Sequence, residues 1–215
     1  MDFYYMPASA PCRAVLLTAK CVGIELNKIL LDLRAGEHLT PEFLKINPQH
    51  TIPTLVDKDF ALWESRAIMI YLVEQYAKTD SLYSQCPETR ALINQRLYFD
   101  MNLALTFGKY FYKPVMSKTP FDPEQRKQLE TQLELFNTLL AGNNFVIGET
   151  LTLADLALLA TISTIDVAQC LKDFNVNVRK YAHIQKWYEN MRAVTPGFKE
   201  NQEGCLEMKK FLEGQ

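Results

Sequence analysis

The segment from Pro7 to Arg13, PASAPCR, carries two side chains that could take part in sulfur chemistry. Ser9 and Cys12 stand three positions apart around Pro11, between a short apolar run and a long one. A C-x-x-C motif at such a strand-to-helix junction is typical of thiol redox proteins, but serine occupies the first cysteine position here. A serine hydroxyl at a helix N-terminus can stabilise a thiolate, which the positive end of the helix dipole also favours.

Both residues also have a simpler structural interpretation. Serine at the start of a helix commonly caps it by accepting a hydrogen bond from a free backbone N–H. Cys12 is followed by Ala14-Val15-Leu16 and fits a small buried apolar side chain better than a nucleophile. From this segment alone, Ser9 is either a plain cap or a ligand of a thiolate.

A second polar segment, NPQHTIPTL, runs from Asn47 to Leu55. Its proline, Pro53, immediately precedes a predicted strand, where a cis bond would leave the N–H and C=O of Ile52 free for a ligand's peptide. A trans loop proline is the commoner alternative. His38 and His50 lie in polar loops, where solvated histidines are more common than catalytic ones.

A third candidate is Trp63-Glu64-Ser65-Arg66, which precedes a predicted helix that Ser65 can cap. Helix N-termini bind anions, so Ser65 could hold a carboxylate while Glu64 receives an ammonium group. Taken alone, the same residues fit an ordinary cap. The His, Cys and Asp residues show no spacing typical of a metal site, and we expect none.

The elements that would position these residues follow the order β-α-β-α-β-β-α within the first eighty residues. The predicted strands lie at 2–6, 28–32, 54–57 and 60–62. The predicted helices run from Pro11 to a stop at Gly23, from Pro41 to Ile46, and from Ser65 to Tyr76.

After a polar segment at 79–86, which we interpret as a linker, all further periodicity is helical. Asp122-Pro123 predicts the start of one helix, and Thr152 with Asp155 forms a capping box before an apolar helix. A further helix is predicted through Tyr181 and Met191. We therefore expect an α/β domain over 1–78 and an all-helical domain over 87–215.

Composition limits the partners. Lys and Arg number 23 against 25 Asp and Glu among 215 residues, so no basic field is available for a nucleic acid. No apolar run reaches the roughly 18 residues that span a bilayer, and the first residues lack a basic and an apolar signal region. Five cysteines without paired spacing fit a reducing compartment, so we expect a cytoplasmic protein without membrane or nucleic-acid partners.

Taken together, these motifs resemble the glutathione transferases, most closely the delta class of arthropods. The resemblance rests on SAPCR, NPQHTIPTL, ALWESRAI, INQRLYFDM and LTLADLALLAT, and it covers nearly the whole chain. It implies a thioredoxin-like N-terminal domain, an all-α helical-bundle C-terminal domain, and transfer of an alkyl or aryl group to glutathione. Glutathione is then a co-substrate, and no other cofactor is expected.

The resemblance also implies roles for individual residues. Ser9 hydrogen-bonds the glutathione sulfur, and His38 and His50 meet its glycyl end. The residues expected to hold the rest of glutathione are Thr51, Ile52 and Pro53 at its cysteinyl backbone, and Glu64, Ser65 and Arg66 at its γ-glutamyl end. The expected pocket for hydrophobic electrophiles comprises Met6, Ala10, Leu33, Met101, Leu105, Tyr110 and Phe111. A homodimer is expected through Arg66, Tyr98 and Asp100.

Three positions depart from the family pattern: the family usually has glycine where this chain has Ala8 and Asn102, and tyrosine where it has Leu105. Ala8 adjoins Ser9 and bears on catalytic efficiency, whereas Asn102 and Leu105 bear on the choice of second substrate. Two alternative functions remain at this point. One is a reductase in which Cys12 forms a mixed disulfide with glutathione, and the other is a non-catalytic carrier of glutathione and hydrophobic ligands.

Overall fold

The N-terminal part of the chain folds around a four-stranded sheet in the computed structural model, which describes residues 1–213. Its strands are β1 (Asp2–Tyr5), β2 (Asn27–Leu30), β3 (Thr54–Asp57) and β4 (Phe60–Trp63). Their order in space is β2-β1-β3-β4; β1 and β2 are parallel, and the other two pairs are antiparallel. The predicted succession of elements is confirmed, although β2 begins one residue earlier than expected and ends at Leu30.

The helices of this domain are α1 (Ala10–Val22), α2 (Pro41–Ile46) and α3 (Ser65–Tyr76), with a short 3-10 helix at Glu37–Leu39. The predicted stop of α1 is confirmed, because Gly23 adopts φ 81° and its N–H donates to Ala19 O at 2.9 Å. Only glycine adopts this left-handed conformation without steric cost.

The register of the sheet brings three chain segments to one edge. Tyr4 near the end of β1 pairs with Thr54 at the start of β3, and Thr54 pairs with Trp63 at the end of β4. The loop after β1, the loop before β3 and the start of α3 therefore meet at this edge. These segments contain the three candidate motifs.

The rest of the chain is helical. Its helices are α4 (Pro87–Ser117), α5 (Pro123–Leu139), α6 (Leu153–Ala168), α7 (Ala182–Val194) and α8 (Phe198–Glu213), with a 3-10 helix at Val178–Lys180. The predicted linker, 79–86, contains no helix or strand. None of the helices in residues 1–213 combines the length and apolarity that crossing a membrane requires.

Helix α6 forms the centre of this domain, as its apolar sequence predicts. Nearly all of its side chains are buried, and the predicted capping box of Thr152 and Asp155 is present. The Asp155 carboxylate also accepts from Val146 N at 2.8 Å and from Trp187 Nε1 at 2.9 Å, so it connects the start of α6 to α7.

Helix α8 was not predicted. Its buried face includes Asn201 and Gly204 together with Phe198, Cys205 and Met208. These polar and small residues interrupt the apolar periodicity on which sequence-based recognition of a helix depends.

Candidate active site

Ser9 occupies the turn between β1 and α1 and is the N-cap of α1. Its backbone N–H donates to Met6 O at 3.1 Å, and its Oγ accepts from Cys12 N at 3.4 Å. Because Oγ acts as an acceptor in this contact, the hydroxyl proton stays available for another partner. The capping role and donation to a thiolate are thus compatible in one side chain.

Cys12 is fully buried, as its apolar flanks predict. Burial raises the pKa of its thiol to about 11, and the polar surroundings of Ser9 and the Met6 backbone oppose the shift only in part. The thiol is therefore protonated at neutral pH and has no open path to a substrate. This side chain is unsuited to forming a mixed disulfide.

The loop before β3 is organised by Asn47, a residue for which the sequence alone predicts no role. Its buried Nδ2 donates to Thr51 O at 3.1 Å and to Thr54 Oγ1 at 2.8 Å, and its Oδ1 accepts from Gln49 N at 2.9 Å. One feature of the sequence could have identified it: Asn47 is the first residue of a polar loop. Asn and Asp side chains at such positions commonly accept a hydrogen bond from the backbone N–H two residues further on. Asn47 fixes the path of the segment that contains His50, Thr51 and Ile52.

Within this loop the Ile52–Pro53 peptide bond is cis, as the resemblance implies. His50 adopts φ 47°, an unusual conformation for a non-glycine residue. Its ring centroid lies 6.0 Å from that of His38, and the buried Nδ1 of His38 has no hydrogen-bond partner within the described residues. The two histidines that were predicted to bind the same end of the ligand are therefore neighbours, and Nδ1 of His38 can still form a hydrogen bond.

The start of α3 differs from the prediction in one respect. Glu64, and not Ser65, is the N-cap; it is exposed, adopts φ 69° and makes no side-chain capping bond. Ser65 is the first residue of the helix and is buried, and its Oγ accepts from Arg66 Nη1 at 3.4 Å. The free N–H groups of the first turn and the Ser65 hydroxyl proton are available to an anion here.

Arg66 forms an ion pair inside the chain. One of its terminal nitrogens donates to Asp100 Oδ2, and Asp100 Oδ1 accepts from Thr161 Oγ1 at 2.6 Å. Asp100 is buried within the chain, which corrects its expected role as a dimer-interface residue: it connects α3 of the first domain to α4 and α6 of the second. Tyr98, the other expected interface residue on α4, is 65% exposed.

The predicted electrophile pocket needs two corrections on α4. Tyr110 and Phe111 are buried in the helical domain: the Tyr110 hydroxyl donates to Phe174 O, and the Phe111 ring stacks on Phe107 at 4.7 Å. Tyr110 borders instead a separate depression of about 550 Å³ at the far end of the helix. The two side chains therefore belong to the core of the helical domain and not to the predicted electrophile pocket.

Helical geometry explains the error. At about 100° per residue, Tyr112 and Met116 follow Met101 and Leu105 on one face of α4, and Tyr110 points to the opposite side. Leu105, Tyr112 and Met116 are all more than half exposed. The expected pocket residues that retain exposure are Met6, Ala10, Leu33, Met101 and Leu105. Counting the helical period would have identified Tyr112 and Met116.

The chain matches the family model described as glutathione S-transferase, N-terminal domain, over residues 1–74, and the one described as glutathione S-transferase, C-terminal domain, over residues 101–194. It is similar to a delta-class glutathione transferase from Nilaparvata lugens, at 47% identity over 99% of this chain and 98% of that one, with a TM-score of 0.94. A Bombyx mori glutathione transferase is 40% identical over 98% and 96% of the two chains, with a TM-score of 0.91. A glutathione S-transferase from Anopheles dirus species B is 33% identical over the full length of both, with a TM-score of 0.86.

Proposed function

The chain belongs to the glutathione transferase family and is most like its insect delta class, and from this premise we propose that it conjugates the glutathione thiolate to hydrophobic electrophiles in detoxification. The observation that carries the proposal is the geometry of Ser9, a capping serine at the N-terminus of α1 whose capping bond uses Oγ as an acceptor and does not use the hydroxyl proton. The neighbouring cysteine is buried and protonated, so the reacting sulfur is that of glutathione.

The groups at the edge of the sheet suit the parts of this tripeptide. His38 and His50 lie close together and suit the glycyl carboxylate. The Ile52 backbone beside cis Pro53, with Thr51 adjoining, suits the cysteinyl peptide. The exposed Glu64 carboxylate suits the γ-glutamyl ammonium group, and the start of α3 at Ser65 and Arg66 suits its carboxylate.

Formation of the thiolate needs no general base. A free thiol with a pKa near 8.5 becomes mostly ionised at neutral pH if its pKa falls by about two units, which requires about 2.7 kcal/mol. A hydrogen bond from Ser9 to the charged sulfur supplies about 1.5–3 kcal/mol, and the helix N-terminus about 0.3–1 kcal/mol. The two effects together supply about 1.8–4 kcal/mol, a range that includes the required value.

In the chemical step, the thiolate sulfur forms a bond to an electrophilic carbon, and the electron pair of the broken bond departs with the leaving group, for example chloride. The hydrophobic part of the electrophile lies against the exposed apolar face of α4 and the loop containing Met6 and Ala10 in this proposal. Apolar walls bind without strict demands on shape.

The carrier alternative shares the binding residues and differs only in the state of the sulfur. An ultraviolet difference spectrum of bound glutathione distinguishes the two, since a thiolate absorbs where a thiol does not. We expect the thiolate band to titrate at least one pH unit below that of free glutathione, together with conjugation of a chlorinated aromatic substrate. Binding of glutathione with neither a thiolate band nor turnover would establish the carrier instead.

We also propose that the enzyme is a cytoplasmic homodimer. Each chain consists of two domains joined by the linker at 79–86, and it uses glutathione as a co-substrate and no other cofactor. The free, exposed thiols of Cys86 and Cys170 suit a reducing compartment. Tyr98 on α4 and Phe60 on β4 are large apolar side chains that are about half or more exposed, which supports a partner subunit covering them. Sedimentation at micromolar concentration should give twice the chain mass of 24.8 kDa, and a monomer would contradict the proposal.

A further inference from the structure

Arg13 is a buried cation directly behind the loop that holds Ser9, with only 1% of its surface exposed. Its Nη1 donates to Ala8 O at 2.6 Å, the carbonyl of the residue that precedes Ser9. Its other donor groups reach across the domain boundary. They donate to Ala160 O at 3.1 Å and to Thr164 Oγ1 in α6, and to Asn201 Oδ1 at 2.9 Å in α8.

All of these acceptors are neutral. Within residues 1–213 no carboxylate forms an ion pair or hydrogen bond with Arg13. A buried arginine is normally paired, because removing an unpaired charge from water is costly, and guanidinium does not deprotonate in proteins. Arg13 is therefore a fixed positive charge without a counter-ion among the described residues.

The titratable groups that face Arg13 come from four helices, and all are weak acids. They are Cys12 on α1, Tyr112 on α4, Tyr188 on α7 and Cys205 on α8. Burial raises the pKa values of the Cys12, Tyr188 and Cys205 side chains, and tyrosine ordinarily ionises near pH 10, so all four stay neutral at pH 7.

The nearby carboxylates are occupied by other cations. Asp166 accepts from Arg179 Nε and Nη2 at 3.0 and 2.8 Å. Glu200, which borders the same surface depression as Arg13, lies 3.5 Å from Lys20 Nζ. Neither acidic group compensates the guanidinium charge.

We propose that the missing counter-ion is the glutathione thiolate: Arg13 is a positioning residue that fixes the Ser9 loop through the Ala8 carbonyl and supplies a buried positive potential that stabilises the bound sulfur anion. This inference rests on the proposed transferase function and adds a third source of thiolate stabilisation to Ser9 and the α1 N-terminus. It also assigns a function to α6 and α8, because these helices hold the guanidinium in place with oxygen atoms that carry no charge.

The variant Asn201→Asp tests the proposal with little change of shape. It places a carboxylate where Oδ1 now accepts from Arg13 Nε, and so gives the cation a counter-ion inside the protein. Asn190→Asp on α7, where the side chain donates to Asn144 O at the surface, makes the same change of net charge elsewhere and is the control. For each protein we would measure thermal unfolding, glutathione affinity, the pKa of bound glutathione from its thiolate absorbance, and the pH profile of kcat/KM.

In Asn201→Asp we expect the pKa of the bound thiol to rise by about one unit, with conjugation falling about fivefold at pH 6.5 and recovering at high pH. Glutathione affinity should change less than about twofold, because the peptide-binding groups are untouched. The melting temperature shows whether the new buried ion pair offsets the loss of the hydrogen bond that Asn201 Nδ2 donates to Ser163 Oγ at 3.0 Å. Asn190→Asp should match the wild type in thiol pKa, glutathione affinity and the pH profile of kcat/KM. An unshifted thiol pKa in a folded Asn201→Asp protein would overturn the role of Arg13 while leaving the transferase function intact.

If wild-type protein showed no lowering of the thiol pKa, the proposed function would fail, and this inference with it. Should Asn201→Asp not fold, Arg13→Lys and Arg13→Gln make the same comparison, since only the first keeps the charge. Lysine should retain most of the lowered thiol pKa and glutamine should lose about one unit of it. Equal thiol pKa values in the two variants would overturn the proposal.

Discussion

The backbone N–H of Cys12 donates to Ser9 Oγ at 3.4 Å, while the Cys12 side chain lies fully buried behind the turn. The two residues of the S-x-x-C segment therefore have separate tasks. Ser9 caps α1 and keeps its hydroxyl proton for a ligand, and Cys12 supplies the N–H that orients the Ser9 oxygen and fills the core.

Replacing Ser9 should affect chemistry much more than replacing Cys12. We expect Ser9→Ala to reduce the conjugation rate by about ten- to a hundredfold, because about 1.5–3 kcal/mol of thiolate stabilisation is lost, with glutathione affinity little changed. Cys12→Ala is the matched control and should keep most of the activity. The measurement is the conjugation rate against pH with a chlorinated aromatic substrate. An inactive Cys12→Ala with an unaffected Ser9→Ala would instead support a thiol reductase.

The buried Cys12 thiol should make the protein lose stability in alkaline solution. Its pKa is about 11 in the folded protein against an ordinary 9.0, so between these values the unfolded chain releases the proton and the folded chain keeps it. The stabilisation is complete below pH 9 and declines as pH rises towards 11, by on the order of 2 to 3 kcal/mol. Urea unfolding at pH 8 to 10.5 should show a shallower decline for Cys12→Ala than for the wild type or the exposed-site control Cys86→Ala.

Ser65 and Glu64 should contribute to binding and not to the chemical step. Both groups suit the γ-glutamyl end, which is bound equally in the ground state and in the transition state. Ser65→Ala and Glu64→Gln should each weaken glutathione binding by about 1.5–3 kcal/mol, or roughly ten- to a hundredfold. Turnover at saturating glutathione should stay near the wild-type value. A collapse of that turnover at unchanged affinity would contradict these roles.

Asn47 should be important for both stability and glutathione binding, although it lies in the interior. Asn47→Ala leaves Thr51 O without one of its donors and Gln49 N without its acceptor, which we expect to cost about 2–4 kcal/mol of unfolding free energy. Asn47→Asp keeps the acceptor and loses the donors, so it separates the two contributions. Chemical denaturation and glutathione titration of both variants check this; wild-type values in Asn47→Ala would show that the loop holds its shape without this side chain.

The two tyrosines near the end of α4 should behave in opposite ways. Tyr112 lies half-exposed on the face of Met101 and Leu105, so Tyr112→Ala should change the relative kcat/KM among electrophiles while the KM for glutathione stays constant. Tyr110→Phe removes the buried donor to Phe174 O and should lower the melting temperature without changing substrate preference. Steady-state kinetics with several electrophiles and thermal unfolding distinguish the two. The reverse assignment would restore Tyr110 to the pocket.

Several local features could be predicted from the sequence because their causes lie within a few residues. The Gly23 stop of α1, the capping box of Thr152 with Asp155, and the buried thiol of Cys12 depend on backbone sterics, nearby hydrogen bonds and local apolar pattern. The motifs around Ser9, Pro53 and Glu64 could likewise be identified from short local patterns. Their roles in glutathione binding came from the family resemblance, because the local patterns alone fit more than one role.

Tertiary structure decided which side of each element meets which neighbour. Asp100 turned inward to Arg66 and Thr161, and Tyr110 turned towards Phe174, because long-range packing selects the buried face of α4. Helix α8 was not predicted because polar and small residues occupy part of its buried face. Arg13 finds its acceptors in residues far along the chain, on α6 and α8. The hydrogen-bond partners of a buried arginine are known only from the fold, because the fold brings oxygens from distant parts of the chain around it. No pattern within a short stretch of sequence contains that information.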